Sequence, residues 1–131
     1  MPDESAKKIL VVDDEPIILK VVESRLKANG FQVITAEDGV EGLNRARSEN
    51  PDLIILDVML PKMDGYRVCR LLKSDDKYKR IPIVMFSARV QTEDKAMGLE
   101  AGADDYMTKP FEPQKFLEKV RELLAGTPKK I

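Results

Sequence analysis

The 131-residue sequence contains no histidine, no tryptophan and only one cysteine, Cys69. Without histidine the chain has no Ser-His or Cys-His pair for nucleophilic catalysis, and the usual zinc sites are also excluded. A single cysteine cannot form an internal disulfide, which is typical of proteins kept in a reducing compartment. We interpret Cys69, which lies beside an apolar helical stripe, as a small structural residue rather than a reactive one.

Long apolar runs and an excess of charge of one sign are missing as well. The longest runs, such as 9–12 and 53–56, are far too short to cross a bilayer, and the polar, acidic residues 1–8 are not a secretory signal. The formal net charge is only −1, so no overall positive field draws the chain to nucleic acid. We therefore expect a cytoplasmic protein without a membrane partner and without direct binding to nucleic acid.

The remaining composition suits one globular domain. The apolar fraction is 43%, which is normal for a packed core and too high for a disordered chain. The length allows a single domain over residues 1–131, with a core of about 7–125 and loose ends. Whether this domain stands alone or forms the N-terminal part of a longer regulator is left open by the sequence.

Five apolar runs alternate with five amphipathic or polar stretches. The runs are 8–13, 32–36, 53–57, 83–87 and 105–108, and the last is the weakest. The first, third and fourth are apolar at consecutive positions, which is typical of strands buried on both faces of a parallel sheet. The alternation predicts an open α/β sheet with helices on both faces.

Punctuating residues predict where the helices lie. Pro16 marks the start of the first helix and Gly30 its end, while Asp64 and Thr92 are predicted N-caps of the third and fourth helices. The clearest stripe, in 116–124, belongs to the last helix, called the C-terminal helix below. The predicted apolar stripes of the first two helices are Ile18, Val21, Val22 and Leu26, and then Val40, Leu43 and Ala46.

Polar side chains follow the apolar runs where ligands bind in such sheets. Runs one, three and four end in Asp13-Asp14, Asp57 and Ser87, and Lys109 follows run five. The carboxyl ends of parallel strands share one edge. Three carboxylates in one place repel each other unless a cation joins them. A hard divalent ion such as Mg²⁺ accepts carboxylate oxygens and can also hold a phosphate.

This set of residues predicts phosphoryl chemistry. An ionised Asp57 can act as a nucleophile towards phosphorus. Lys109 and the hydroxyl of Ser87 offer donors for the charge that develops on the phosphoryl oxygens. Alone, each residue has a simpler interpretation as a helix cap, a turn hydroxyl or a surface charge. Their common placement at strand ends favours one site.

Four segments resemble the receiver domains of bacterial two-component response regulators. They are VVDDEP at 11–16, DVMLPKMDG at 57–65, SAR at 87–89 and GADDYMTKPF at 102–111. The resemblance covers roughly residues 7–125. It implies a CheY-like, flavodoxin-like doubly wound (βα)5 fold with a five-stranded parallel sheet in the order 2-1-3-4-5.

The resemblance also implies roles for the acidic residues. Asp57 would accept a phosphoryl group from a sensor histidine kinase or a phosphotransfer protein. Asp14, Asp57 and the backbone carbonyl of Met59 would bind Mg²⁺ (or Mn²⁺) directly, and Asp13 would act through water. Such a protein is a signalling switch that catalyses only its own phosphorylation and dephosphorylation.

Further roles concern the switch. By resemblance, Ser87 is the switch hydroxyl, Tyr106 the switch aromatic and Lys109 the phosphoryl-binding lysine, joined to Pro110 by a cis bond. The output face would comprise the fourth helix, the fifth strand and the C-terminal helix, and would contact a downstream effector domain or protein.

Two departures in the sequence bear on lifetime and assembly. Met59 and Arg89 lie where the family tunes the access of water to the acyl phosphate, so we hypothesise slow loss of phosphate. Residues 94–106 resemble a subgroup that forms phosphorylation-dependent homodimers. In that dimer Lys95 and Lys115 would face each other across the interface. Because both are positively charged, their repulsion would modestly disfavour the dimer. A compensating contact would join Lys119 to Asp104 or Asp105.

Two other functions fit the residues less well. An aspartyl-phosphate-type phosphatase or phosphotransferase acting on small substrates usually has two aspartates one residue apart after its first strand. Here Asp13 and Asp14 are adjacent and the candidate nucleophile follows the third run. A flavodoxin-like cofactor protein would need a Ser/Thr/Gly-rich loop where this chain has DDEP, and no P-loop motif occurs.

Overall fold

A computed structural model describes residues 7–87, 101–109 and 112–126. The predicted fourth helix, with Thr92 and Lys95, lies outside the described residues, as do Arg89 and Pro110. The described elements, in chain order, are β1 (Lys8–Val12), α1 (Pro16–Ala28), β2 (Gln32–Ala36), α2 (Gly39–Glu49), β3 (Leu53–Asp57), α3 (Gly65–Lys73), β4 (Ile83–Ser87), β5 (Asp105–Thr108) and the C-terminal helix (Pro113–Leu124).

The five strands form one parallel sheet in the order β2-β1-β3-β4-β5, which confirms the predicted topology. Four strands have the predicted bounds, and β1 ends one residue earlier, at Val12. The register aligns Val12 with Leu56 and Ser87 with Thr108. The carboxyl ends of these strands therefore meet at one edge of the sheet.

Both faces of the sheet are covered, as consecutive apolar positions predicted. Leu10 and Val12 of β1 pack in one buried cluster with α2 and α3, whereas Ile9 and Val11 pack in a second with α1 and the C-terminal helix. Each fully buried aliphatic side chain of this kind stabilises the fold by about 1.5–3 kcal/mol. The helices are consequently held firmly against the strands whose ends carry the polar residues.

The helix boundaries follow the predicted signals. Pro16 is the first residue of α1, and Gly30 follows its end with a φ of 90°, a conformation that glycine adopts easily. Asp64 accepts a hydrogen bond from the Arg67 N–H at 3.0 Å, as predicted for the N-cap of α3. Among the described residues, no helix is both long and apolar enough to cross a membrane.

Two predicted positions of the apolar stripes are wrong. Val21 and Val40 are exposed, and Leu19 takes a buried place on α1 instead. Leu19 shares one face with Val22 and Leu26 at helical spacing, while Val21 lies about 100° further round the helix. Leu19 and Val21 are both apolar, so hydrophobicity alone did not show which of them is buried.

Candidate functional site

The edge of the sheet brings the predicted polar residues together. Two backbone hydrogen bonds extend the strand pairing by one residue, from the Asp13 N–H to the Ala36 carbonyl at 3.1 Å and from the Lys109 N–H to the Ser87 carbonyl at 2.9 Å. Asp57 is the last residue of β3. The backbones that carry these side chains are therefore fixed by the sheet itself.

Lys109 lies among three carboxylates. Its Nζ is 2.7 Å from Asp13 Oδ2, 3.4 Å from Asp57 Oδ2 and 3.3 Å from Glu15 Oε1. The ammonium also lies 5.3 Å from the centre of the Phe86 ring, within the range of a cation–π contact. Only 9% of the Lys109 side chain is exposed. The lysine thus supplies a positive charge inside the acidic site.

Asp13 and Asp14 have different surroundings. Asp13 is fully buried, and its Oδ1 accepts a hydrogen bond from the Glu15 N–H at 2.9 Å. Apart from the ion pair with Lys109, Asp13 Oδ2 meets no hydrogen-bond donor among the described residues. Asp14 is exposed.

The acidic residues suit a hard cation. One carboxylate oxygen each from Asp13, Asp14 and Asp57 lies within 4.8 Å of the other two. Clustered carboxylate oxygens are the ligands that Mg²⁺ or Mn²⁺ prefers in proteins. The residues present therefore fit a divalent ion of this class.

Burial shifts the ionisation of the site. The pKa of Asp57 is raised from 3.8 to about 6, because burial disfavours its charged form and the nearby charge of Asp13 adds to this, while Lys109 partly opposes both. Burial alone would lower the pKa of Lys109. The contact with Asp13 and the charges of Asp57 and Asp13 outweigh that effect, so the pKa lies above its usual value. At neutral pH the site holds a charged lysine and an ionised Asp57.

Ser87 and Tyr106 lie on β4 and β5, the two strands that follow β3 towards one side of the sheet. Ser87 is buried at the end of β4, one residue beyond Phe86, which is in register with Asp57. Tyr106 on β5 is half-buried, pairs in register with Met85 and packs against the core. Both residues have interaction partners. The structure therefore places Ser87 on β4, the strand next to β3, and Tyr106 one strand further out, on β5.

The loop after β3 is held tightly against the sheet. The Gly65 N–H donates to the Val58 carbonyl at 2.8 Å, and a Cβ on Gly65 would collide with the backbone oxygen of Asp57. Met59, in the same loop, is 59% exposed. The first turn of α3 can approach Asp57 this closely only because residue 65 has no side chain.

Glu15 is a contact residue that the sequence analysis missed. Its carboxylate accepts a hydrogen bond from Lys109, 94 residues along the chain, at 3.3 Å. The available signal was a third acidic residue after Asp13-Asp14 in the first loop. Acidic residues are common at the start of a helix, so that signal did not predict the contact.

The structure thus combines a doubly wound parallel sheet with clustered carboxylates and a lysine at its carboxyl edge. Comparison with known proteins identifies the class of domain to which this arrangement belongs. Residues 9–121 match the family described as the response regulator receiver domain. The chain therefore belongs to this family and is a CheY-like receiver domain of two-component systems, which confirms the resemblance seen in its motifs.

Individual relatives support the assignment. The chain is 51% identical over 118 residues to the alkaline phosphatase synthesis transcriptional regulatory protein PhoP of Bacillus subtilis (strain 168). The aligned stretch covers 90% of this chain and 48% of that protein. The chain spans about half the length of the curated relatives it matches. These relatives are transcriptional regulators rather than metabolic enzymes.

Solved structures share the fold. A putative response regulator from Chloroflexus aurantiacus J-10-fl has a TM-score of 0.88 and 38% identity, over 92% of this chain and 98% of that one. The receiver domain of the sensor histidine kinase PA1611 from Pseudomonas aeruginosa PAO1 has a TM-score of 0.84 and 30% identity, over 93% and 99%. The latter was solved with a magnesium ion coordinated in its active-site cleft.

Proposed function

We propose that this domain accepts a phosphoryl group on Asp57 from a sensor histidine kinase or a phosphotransfer protein and thereby switches a downstream effector. The observation that carries the proposal is the buried Asp57 carboxylate beside Lys109 and two further carboxylates at the edge of the sheet. We place the reaction in the cytoplasm, because a chain with a single cysteine and no internal disulfide is typical of a reducing compartment.

The proposed transfer needs only one nucleophile. An oxygen of the ionised Asp57 carboxylate forms a bond to phosphorus while the bond from phosphorus to the donor nitrogen breaks, and the donor imidazole retains the electron pair and takes up a proton. The Lys109 ammonium stabilises charge on the phosphoryl oxygens. Hydrolysis of the resulting acyl phosphate restores Asp57. The domain thus catalyses only its own phosphorylation and dephosphorylation.

A divalent ion is part of the proposal. Asp14, Asp57 and the backbone carbonyl of Met59 would hold Mg²⁺ or Mn²⁺, with Asp13 acting through water. The ion would neutralise the carboxylates and bind a phosphoryl oxygen. Support comes from the clustered carboxylate oxygens of this chain and from the magnesium ion in the related PA1611 receiver.

The switch is proposed to use Ser87 and Tyr106. The Ser87 hydroxyl would turn towards the phosphoryl group and the Tyr106 ring would follow inwards. The position of Ser87 at the end of β4 and of Tyr106 on the adjacent strand supports this coupling. The output face would then include β5, the C-terminal helix and the predicted fourth helix.

The effector is proposed to be a DNA-binding output region of the kind that its transcriptional-regulator relatives, such as PhoP of Bacillus subtilis, imply. Their length, about twice that of this chain, supports a second region in them. Lys119 forms an ion pair with Asp105 of the same chain at 2.8 Å. We also propose a phosphorylation-dependent homodimer through the output face. In that dimer, Lys119 and Asp105 would either stay paired within each subunit or form the same ion pair across the interface.

The lifetime of the phosphorylated form is proposed to be long. Met59 is largely exposed and lies two residues beyond Asp57, so its apolar side chain can limit the approach of water to the acyl phosphate. Arg89, outside the described residues, is the second proposed shield. Phosphate loss should accelerate in the Met59→Asn and Arg89→Ala variants, and equal decay in parent and variants would contradict this part.

Intact-mass measurement after incubation with acetyl phosphate and Mg²⁺ tests the main proposal. We expect one added phosphoryl group in the parent, none in Asp57→Asn, and one in the control Asp76→Asn, because the Asp76 side chain is 95% exposed. Labelling of Asp57→Asn at the parent level would place the acceptor elsewhere. Steady turnover of phosphate esters would instead favour a phosphatase.

A further inference from the structure

Glu15 occupies a defined place beside Lys109. The Lys109 ammonium carries three N–H bonds, and three carboxylate oxygens lie around it, at 2.7 Å (Asp13), 3.4 Å (Asp57) and 3.3 Å (Glu15). The side chains of Asp13 and Asp57 are buried, while that of Glu15 is 59% exposed. Of these three partners, Glu15 is therefore the one that can leave Lys109 without creating a buried unpaired charge.

The backbone of Glu15 is fixed although its side chain is exposed. Its N–H donates to Asp13 Oδ1 at 2.9 Å, and its carbonyl accepts the first helical hydrogen bond of α1, from the Leu19 N–H at 3.0 Å. Glu15 is also the N-cap residue of α1, yet its side chain makes no capping hydrogen bond. The carboxylate contacts Lys109 instead.

We propose that Glu15 is a positioning residue that occupies, before phosphorylation, the side of the Lys109 ammonium that a phosphoryl oxygen takes during transfer. This inference rests on the proposed function of Asp57. An incoming phosphoryl oxygen needs one N–H bond of Lys109, and the exposed Glu15 contact is the least costly to displace. Glu15 therefore competes with the phosphoryl donor and slows the reaction.

Two substitutions separate the contact from the charge. Glu15→Gln removes the charge, whereas Glu15→Asp keeps it but shortens the side chain by one methylene, so that the carboxylate no longer reaches Lys109. Glu112→Gln is the matched control, because Glu112 is likewise an exposed N-cap residue before a proline and makes no capping hydrogen bond. All three changes are at exposed positions, so the fold should be retained.

The first measurement is the rate of phosphorylation by subsaturating acetyl phosphate with Mg²⁺, followed by intact mass. Because an exposed ion pair is weak, we expect a rise of about two- to fivefold in both Glu15 variants and less than that in the control. The second measurement is the labelling of Lys109 by an amine-reactive ester without any metal ion, read by peptide mapping. Labelling should rise by about the same factor in both Glu15 variants.

The outcomes distinguish this inference from the proposed function. Normal phosphorylation of the parent with unchanged rates and unchanged Lys109 labelling in both variants would overturn the inference alone. A Glu15→Asp variant that behaves as the parent while Glu15→Gln reacts faster would reduce Glu15 to a general charge effect and also overturn it. No phosphoryl addition to the parent at all would overturn the proposed function.

Discussion

Replacing Asp57 with asparagine should stabilise the domain at neutral pH when divalent ions are absent. The folded protein holds Asp57 at a pKa of about 6 against 3.8 for the ordinary group, chiefly because of burial. The folded state therefore binds this proton more tightly than the unfolded state does. Stability contributed by Asp57 falls as pH rises from about 4 to about 6 and stays low above that range.

The pKa difference sets the size of the effect. At 1.36 kcal/mol per pKa unit, the ionised Asp57 destabilises the folded state above pH 6 by about 3 kcal/mol at most. Asparagine removes this cost but buries an amide that must find hydrogen-bond partners. We therefore expect Asp57→Asn to raise the free energy of unfolding by about 1–2 kcal/mol at pH 7.5, and by much less at pH 4.5.

Urea denaturation with a chelator present, between pH 4.5 and 8, measures this difference. The Asp76→Asn variant controls for net charge, because that side chain is 95% exposed and its ion pair with Lys79 lies at the surface, where such pairs contribute little. Adding Mg²⁺ should stabilise the parent more than Asp57→Asn, since only the parent keeps all three carboxylates. An Asp57→Asn variant no more stable than the parent at pH 7.5, or a gap independent of pH, would refute the reasoning.

Three further predictions concern the residues Lys109, Gly65 and Cys69. Lys109→Met should cost about 3–5 kcal/mol of unfolding free energy in urea, because it leaves buried carboxylates without their cation, and Mg²⁺ should restore part of it; unchanged stability would contradict the ion-pair network. Gly65→Ala should cost at least about 1–3 kcal/mol and slow labelling by acetyl phosphate, because its Cβ collides with the Asp57 backbone; a neutral variant would contradict that packing. Cys69 is buried, its S–H donates to the Ala101 carbonyl at 3.4 Å and burial raises its pKa to about 11. It should react with a disulfide reagent only after denaturation, and rapid reaction of the native protein would disprove its burial.

The sequence alone was sufficient for the sheet and for several of the residues that meet at its carboxyl edge, but not for Glu15. Consecutive apolar residues in 8–13, 53–57 and 83–87 predicted strands buried on both faces. The structure confirms these strands, with β1 ending one residue earlier at Val12. Because parallel strands end at one edge, the polar residues after each run also predicted the convergence of Asp13, Asp57 and Lys109. The strand order came from the motifs, which match the family over most of the chain.

Tertiary structure alone decided the contacts and energies within that site. The contact between Glu15 and Lys109 joins residues 94 positions apart, and no local pattern encodes such a distance. The pKa of Asp57 depends on how much water the surrounding helices exclude. The exposure of Val21 and the burial of Leu19 depend on which face of α1 meets the sheet. A sequence specifies which groups are present and how they are spaced, whereas desolvation and charge pairing arise only when distant segments pack together.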